Sequence, residues 1–162
     1  MGITSVCDMA ISLIPGADCI LPEVYKGLLN KDKLNVRCHL YPTLSEDMSN
    51  LEGLQQELTG SMLQAPGFKQ FFDGVSSQHT AWVTEDYYNS RFEGDKGKPT
   101  VDPARMRKLV LQAASKGHSV RIHTIGDAAV HEAIDIFSQA KDMYGAPSIG
   151  ANALEHIEDI MH

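Results

Sequence analysis

The sequence has 162 residues, 43% of them hydrophobic, which is the size and composition of one globular domain with a substantial core. Its formal net charge is -7, with 14 Lys and Arg against 21 Asp and Glu and no basic stripe, which argues against nucleic-acid binding. No segment has the roughly 18 to 20 apolar residues of a membrane helix, so no membrane partner is expected. Cys7, Cys19 and Cys38 lack close spacing, which predicts reduced thiols in a cytoplasmic protein.

The first half of the chain alternates predicted strands and helices. Residues 3–7 form a short apolar strand, and Pro22 opens a helix. Residues 34–41 alternate as a second strand, after which Ser45 is positioned to cap a helix. Residues 68–72 form a third strand candidate.

Residues 75–100, here called the long loop, show no helical or strand period. A loop of about 25 residues exceeds the usual limit of about 12 to 15, and such loops are commonly lids or binding segments. The clearest helix of the chain follows, with Asp102 as its cap, Pro103 in its first turn and Gly117 beyond its end.

The second half continues the alternation, with a strand at residues 120–124, a helix and a strand at residues 151–156. We expect Asp127 to cap this helix and Gly145 to end it. The residues expected to face inward are Val130, Ala133, Ile134 and Phe137. Alternating strands and helices predict parallel strands, in either an eight-stranded barrel or an open doubly wound sheet. Because a barrel needs about 250 residues, only part of one fits in this chain.

Two histidines make a metal site the leading functional hypothesis. His123 lies at the carboxyl end of one apolar strand, and His156 ends the next one, so both are expected at the same rim of the sheet. Neutral imidazoles that converge can bind Zn²⁺ at about 2.0 to 2.1 Å. The alternative is that each ring bonds to loop carbonyls.

Other candidate residues keep two interpretations each. Lys69 lies in an apolar strand, where an ammonium group must be paired, for example with Asp73, or deprotonated or modified. Asp73 itself is either a turn residue or a site residue. Thr80, Trp82 and Tyr87 either shape a substrate pocket or pack the long loop.

Glu155 should point to the side of its strand opposite to His156. There it is expected to support the site or to form a salt bridge with the helix layer, rather than to bind a metal.

Four ordered motifs resemble amidohydrolase family 3, the group that includes N-substituted formamide deformylases and exoenzyme regulatory proteins. The resemblance runs nearly from end to end. The motifs are Gly-Ile-Thr-Ser-Val-Cys-Asp at 2–8, Phe-Lys-Gln-Phe-Phe-Asp-Gly at 68–74 with Thr80-Ala81 and Glu85-Asp86-Tyr87 after it, His-Thr-Ile-Gly-Asp-Ala-Ala-Val at 123–130, and Leu-Glu-His at 154–156.

The resemblance implies a metal-dependent hydrolase on a (β/α)8 barrel, of which this chain is a central fragment spanning strands two to six in about five β/α units. It implies His123 and His156 as ligands of one or two Zn²⁺ ions, with Lys69 as a carboxylated bridging ligand. Lys69 and Asp73 would form the catalytic set for an amide-like small-molecule substrate. A full member also has a His-x-His pair at the end of the first strand and an aspartate after the eighth. Its usual arginine shortly before the sixth-strand Glu-His is replaced here, with Ala151-Asn152 in that neighbourhood. The chain alone is therefore expected to be inactive or very weak.

Two rival functions stay open. One is a non-catalytic binding or regulatory module derived from the same fold. The other is a flavodoxin-like sheet, although no Gly-rich phosphate loop follows the first strand. An incomplete barrel leaves open strand edges, so a homodimer is expected.

Overall fold

The computed structural model describes residues 2–9 and 20–159, which leaves Cys19 outside the described residues. Contacts divide the chain into two compact units, Met1–Lys69 and Gln70–His162. The expected organisation as a single domain stays a prediction. None of the described helices combines the length and apolar character needed to cross a bilayer.

The first unit contains a parallel sheet of three strands in the order β1-β2-β3. The strands are β1 (Ser5–Asp8), β2 (Arg37–Leu40) and β3 (Leu63–Gln64), and the helices are α1 (Pro22–Asn30) and α2 (Ser49–Glu57). Alternation along β2 buries Cys38 and Leu40, which form one hydrophobic cluster of this unit with Ile20 and Leu63.

The sequence located most of these elements, with two corrections. β3 was not predicted, because a strand of two residues carries no readable period. Ser45 does not cap α2, since the cap position is Met48 and the Ser45 hydroxyl donates to the carbonyl of Asp47 instead. Two free cysteines, the exposed Cys7 and the buried Cys38, are present among the described residues.

The remaining strands form a second sheet in the order β4-β5-β6, with β5 and β6 parallel. They are β4 (Gly67–Phe71), which crosses the boundary between the units, β5 (Ser119–Gly126) and β6 (Ala153–Asp159). Helices α3 (Pro103–Ser115) and α4 (Asp127–Tyr144) pack on each other and on β5. The α/β class with parallel strands is confirmed, and a partial barrel stays a prediction.

The ends of α3 and α4 show where local sequence signals were sufficient. The Asp102 carboxylate accepts the N–H of Arg105 at 3.1 Å, and Gly117 follows α3 with a φ of +77°, as predicted. α4 stops at Gly145 as expected, but Gly126 is its cap residue and Asp127 is already helical, so the predicted capping role of Asp127 is wrong.

The inward face of α4 differs from the prediction at one position. Val130 and Ala133 are buried as expected, whereas Ile134 is 48% exposed and Ile136 takes its place in the core. The choice between two nearby isoleucines needs the position of the sheet, which the helical period does not give.

Candidate metal centre and the long loop

His123 and His156 meet at the junction of β5 and β6. Their ring centroids lie 4.6 Å apart with an interplanar angle of 64°. His123 is 6% exposed. β5 continues three residues past His123 to Gly126, so this imidazole lies within the strand rather than at its end.

A bulge in β6 brings His156 to this position. The register pairs His123 with Glu155 and Thr124 with His156, and it shifts before Gly126. In a regular strand His156 would share the face of Thr124, away from His123. His156 and Ile157 have positive φ angles of 79° and 54°, which L-residues rarely adopt, so the alternation breaks there and the two rings touch.

Glu155 forms an ion pair with β5 rather than with the helix layer. Its Oε1 lies 2.5 Å from Nε of Arg121. The expectation of a partner among the helices is therefore wrong. Asn152, near the place where the resemblance implies an arginine, accepts the N–H of Val120 through Oδ1 at 2.9 Å and so pairs the start of β5 with the segment before β6.

The imidazole of His123 has fixed neighbours in the second unit. Nε2 donates to the carbonyl of Gly74 at 2.9 Å and lies 3.8 Å from Oδ1 of Asp73. The Phe71 ring meets the imidazole edge-on with centroids 4.6 Å apart. Binding of a metal through Nε2 requires the bond to Gly74 to open.

Asp73 is buried, and its carboxylate holds backbone groups in place. Oδ1 accepts the N–H of Ile125 at 3.0 Å, and Oδ2 accepts those of Gly126 at 2.8 Å and Trp82 at 3.0 Å. With 1% of its surface exposed, the side chain joins the end of β5 to the long loop.

Asp127 holds the same loop from the start of α4. Its Oδ1 accepts the N–H groups of Thr84 and Ala128, both at 2.9 Å, and the Thr84 hydroxyl donates to Oδ2 at 2.5 Å. Burial by itself raises the pKa of Asp127, but the hydrogen bonds from Thr84 and Ala128 outweigh it and hold the pKa below its ordinary value.

Close packing at Gly126 completes this attachment. A Cβ atom at Gly126 would overlap the backbone carbonyl of Trp82, and the same carbonyl accepts the N–H of Ala129 at 3.3 Å. The Trp82 ring packs edge-on against Phe72 with centroids 5.8 Å apart. Thr84 and Gly126 therefore belong to the loop attachment; Gly126 lies in the motif at 123–130, whereas no motif in the sequence pointed to Thr84.

The hydroxyl groups of Thr80 and Tyr87 also form hydrogen bonds within the long loop. The Thr80 hydroxyl accepts the N–H of Val75 at 2.9 Å, and the Tyr87 hydroxyl donates to the carbonyl of Ala81 at 2.9 Å. These contacts, with the Trp82 ring packing, hold the loop together. The predicted substrate contacts of Thr80, Trp82 and Tyr87 stay predictions.

Lys69 belongs to the first unit, where it is buried at 3% exposure. Its N–H donates to the carbonyl of Pro42, and its carbonyl accepts the N–H of Leu44, both at 2.9 Å. These bonds form a parallel bridge between Thr43 and Lys69. The predicted carboxylation of Lys69 stays a prediction.

The metal hypothesis can be tested on the donor set. His123 and His156 offer two imidazoles in contact. Across residues 2–9 and 20–159, however, no group of three or more His, Cys, Asp or Glu side chains is placed to hold a metal ion. A catalytic zinc site uses three protein ligands, so these residues supply an incomplete set.

The fold matches solved structures of metal-dependent hydrolases. An uncharacterized metal-dependent hydrolase from Pyrococcus horikoshii OT3 matches with a TM-score of 0.66 and 25% identity, over 85% of this chain and 27% of that chain. One from Pyrococcus furiosus matches in fold with a TM-score of 0.60 and 24% identity, over 74% of this chain and 25% of that chain.

The sequence is similar to three other proteins, each over a limited part of that protein's length. It is 26% identical to protein LONG AFTER FAR-RED 3 of Arabidopsis thaliana over 84% of this chain and 24% of that protein. It is 27% identical to the putative amidohydrolase YtcJ of Bacillus subtilis (strain 168) over 70% of this chain and 21% of that protein. It is 26% identical to the exoenzymes regulatory protein AepA of Pectobacterium carotovorum subsp. carotovorum over 59% of this chain and 20% of that protein.

The parallel α/β fold is thus of the type found in metal-dependent hydrolases. The family model of the amidohydrolase family matches residues 2–158, and the chain belongs to that family. The matched region spans between a fifth and about a quarter of the length of these relatives.

Proposed function

We propose that this chain supplies part of the catalytic centre of a metal-dependent hydrolase that cleaves carbon–nitrogen bonds other than peptide bonds. The observation that carries the proposal is the contact of the His123 and His156 rings at 4.6 Å, made possible by the left-handed backbone at His156. Backbone strain of this kind persists where the surrounding structure maintains it, and it is concentrated at functional sites.

The two imidazoles are proposed to bind one divalent ion, with Zn²⁺ as the first candidate because imidazole nitrogen suits it. A bound ion of this kind lowers the pKa of water and polarises an amide-like carbonyl. Because the described residues hold two ligands and not a complete set, we derive no reaction step from them. We propose instead that the chain alone has no measurable hydrolase activity.

Asp73 is proposed as a positioning residue rather than a general base. Its two oxygens already accept three backbone N–H groups, and it is enclosed from solvent. A base needs a free lone pair within reach of the proton that it removes. For Lys69 we propose carboxylation only when a metal is bound, since a carbamate without a cation would leave a buried charge.

A non-catalytic binding module is the second candidate. Its support is that Nε2 of His123 and both oxygens of Asp73 are occupied by backbone partners, as expected for side chains that maintain a rim rather than react. The relative AepA is named a regulatory protein, which fits a module of this kind.

Metal titration separates these candidates. Calorimetry with Zn²⁺ on the purified chain should give one site, weakened at least about tenfold in His123→Ala and in His156→Ala, which corresponds to about 1.4 kcal/mol. His131→Ala, at an exposed position of α4, is the matched control and should bind as the wild type does. Binding that survives in the His123→Ala/His156→Ala double variant contradicts the proposed metal centre.

Activity is tested separately with N-formyl and N-acyl substrates in the presence of Zn²⁺. The expected result is no hydrolysis above the buffer rate. Hydrolysis that is equal in the wild type and in His123→Ala would show that this histidine pair is not the reacting centre. Metal-dependent hydrolysis that His123→Ala abolishes would instead show that the chain alone completes an active site.

A dimer is proposed for the purified chain. Within the described residues, β1 lies at an edge of its sheet with Ser5, Val6 and Cys7 exposed, and α1 exposes Val24. An exposed strand edge favours pairing with another chain. Light scattering should give twice the mass of the chain, and a stable monomer would exclude this arrangement.

A further inference from the structure

The long loop lines an open cavity of ≈ 390 Å³ on the surface of the second unit. Its wall includes Thr80 and Thr100 with the ionisable side chains of His79, Asp95, Lys96 and Lys98. Pockets for small ligands begin at roughly 300 Å³. The cavity is therefore large enough for a small molecule, and its polar groups come from side chains that the proposed metal centre does not use.

The His79 side chain is fixed in the cavity wall by two contacts. Its Nδ1 lies 2.7 Å from Oδ2 of Asp95, and its ring stacks on Tyr87 with centroids 4.3 Å apart and an interplanar angle of 5°. Its backbone is left-handed, with a φ of 54°, at the end of the 3-10 helix Ser76–Gln78. Because Nδ1 is held by Asp95, Nε2 is the ring nitrogen left for a ligand.

Asp95 is itself held ionised. The Ser90 hydroxyl donates to Oδ2 at 2.5 Å, and hydrogen bonds from Ser90 and His79, with a further bond from the backbone N–H of Gly97, lower the pKa of Asp95 below its ordinary value. The charge of Asp95 is thus directed to its own loop partners.

The remaining charges of the wall are positive. The Lys96 ammonium donates to the carbonyl of Thr84 at 2.7 Å and lies 3.7 Å from Asp86. Lys98 is exposed, and its ammonium group makes no ion pair or hydrogen bond with the described part of the chain. With Lys96 near Asp86 and His79 bound to Asp95, the exposed ammonium group of Lys98 is the charge of the wall that favours an anionic ligand.

We propose that this cavity binds a small oxyanion, either a phosphate or a carboxylate group, through Nε2 of His79 and the ammonium group of Lys98. Both groups donate hydrogen bonds to an oxyanion, the imidazole in its protonated form. The site is separate from the proposed function, because it requires neither His123 nor a metal ion.

The test is a titration of the ¹⁵N-labelled chain, followed by amide NMR shifts, at constant ionic strength. Inorganic phosphate and acetate are used as separate probes. We expect saturable shifts at Gly94 and Gly97, which line the cavity. The tighter of the two probes then identifies the oxyanion class. Shifts that stay linear with both probes overturn the proposal.

Variants decide whether the named groups bind the anion. Lys98→Gln and His79→Gln should each weaken binding at least about fivefold. Lys141→Gln removes an equal charge at an exposed position of α4 and should leave the affinity unchanged. If His79→Gln disturbs the loop, which its amide spectrum would reveal, the exposed Lys98→Gln variant alone decides. An unchanged affinity in Lys98→Gln refutes the site.

Discussion

Replacing Asp73 with asparagine changes a buried acceptor of three backbone N–H groups into a side chain with one acceptor and one donor. In the wild type, Oδ1 binds Ile125 and Oδ2 binds Gly126 and Trp82. The best arrangement of asparagine keeps its oxygen on Gly126 and Trp82. Its NH₂ group then faces the N–H of Ile125, which is left without an acceptor.

The expected loss of stability follows from these contacts. A hydrogen bond to a charged group contributes about 1.5 to 3 kcal/mol, and an unsatisfied buried donor costs about 1 to 3 kcal/mol. Since Asp73→Asn loses one such bond, weakens two and leaves one N–H unsatisfied, we expect the free energy of unfolding to fall by about 3 to 5 kcal/mol.

Urea unfolding measures this loss of free energy. The fluorescence of Trp82, the single tryptophan, follows the unfolding, and its backbone N–H is one of the three groups bound by Asp73. The matched control is Asp102→Asn, which removes the same charge at an exposed helix cap that asparagine also serves well. The reasoning is refuted if Asp73→Asn loses no more stability than Asp102→Asn.

Three further predictions concern other contacts of the same structure. Gly126→Ala should detach the long loop and lower the free energy of unfolding by several kcal/mol, because the added methyl group would overlap the carbonyl of Trp82. Gly53→Ala, at an exposed position of a helix, is the control and should raise the free energy of unfolding by about 0.5 to 1 kcal/mol. Equal urea midpoints for the two variants would contradict this prediction. The lowered pKa of Asp127 means that its contribution is present above the ordinary value of 3.8 and is lost as the pH falls through the folded value, so wild type and Asp127→Asn should converge in acid unfolding curves. The pKa of Tyr25 is raised to about 12 by its hydrogen bond to the Asp8 carboxylate and by burial. The stabilisation by this hydrogen bond is therefore present below pH 10 and lost toward pH 12. Tyrosinate absorbance should show this late titration, and Tyr25→Phe should remove it.

Signals that are local in the chain predicted the corresponding parts of the fold. The cap at Asp102 and the stops at Gly117 and Gly145 depend on a few neighbouring residues, and all three are confirmed. The two capping predictions that failed, at Ser45 and Asp127, concern polar side chains that found other partners. The N–H groups of a helix compete for the carboxylate or hydroxyl of a capping residue with every other polar group that the tertiary structure brings near.

The candidate site was predictable only in part for the same reason. Because successive parallel strands lie side by side, the sequence predicted that His123 and His156 lie close together, and their rings do touch. The bulge that makes this contact possible was not predicted from the sequence, because the β-branched Ile157 is a residue type that strongly disfavours its positive φ. The pairing of His79 with Asp95 joins residues 16 positions apart within an irregular loop, where no period relates them.

The attachment of the long loop has a consequence for how this protein could be varied. Asp73 accepts the main-chain N–H of Trp82, and Gly126 leaves room for the main-chain carbonyl of Trp82. Neither of these two contacts depends on the side chain at position 82. The attachment also uses the Thr84 hydroxyl on Asp127 and the Trp82 ring on Phe72, so a replacement loop that retains these two residues keeps those contacts as well. Loops of other composition could therefore be grafted between these fixed points, which would let one scaffold acquire new ligands while its framework stays intact.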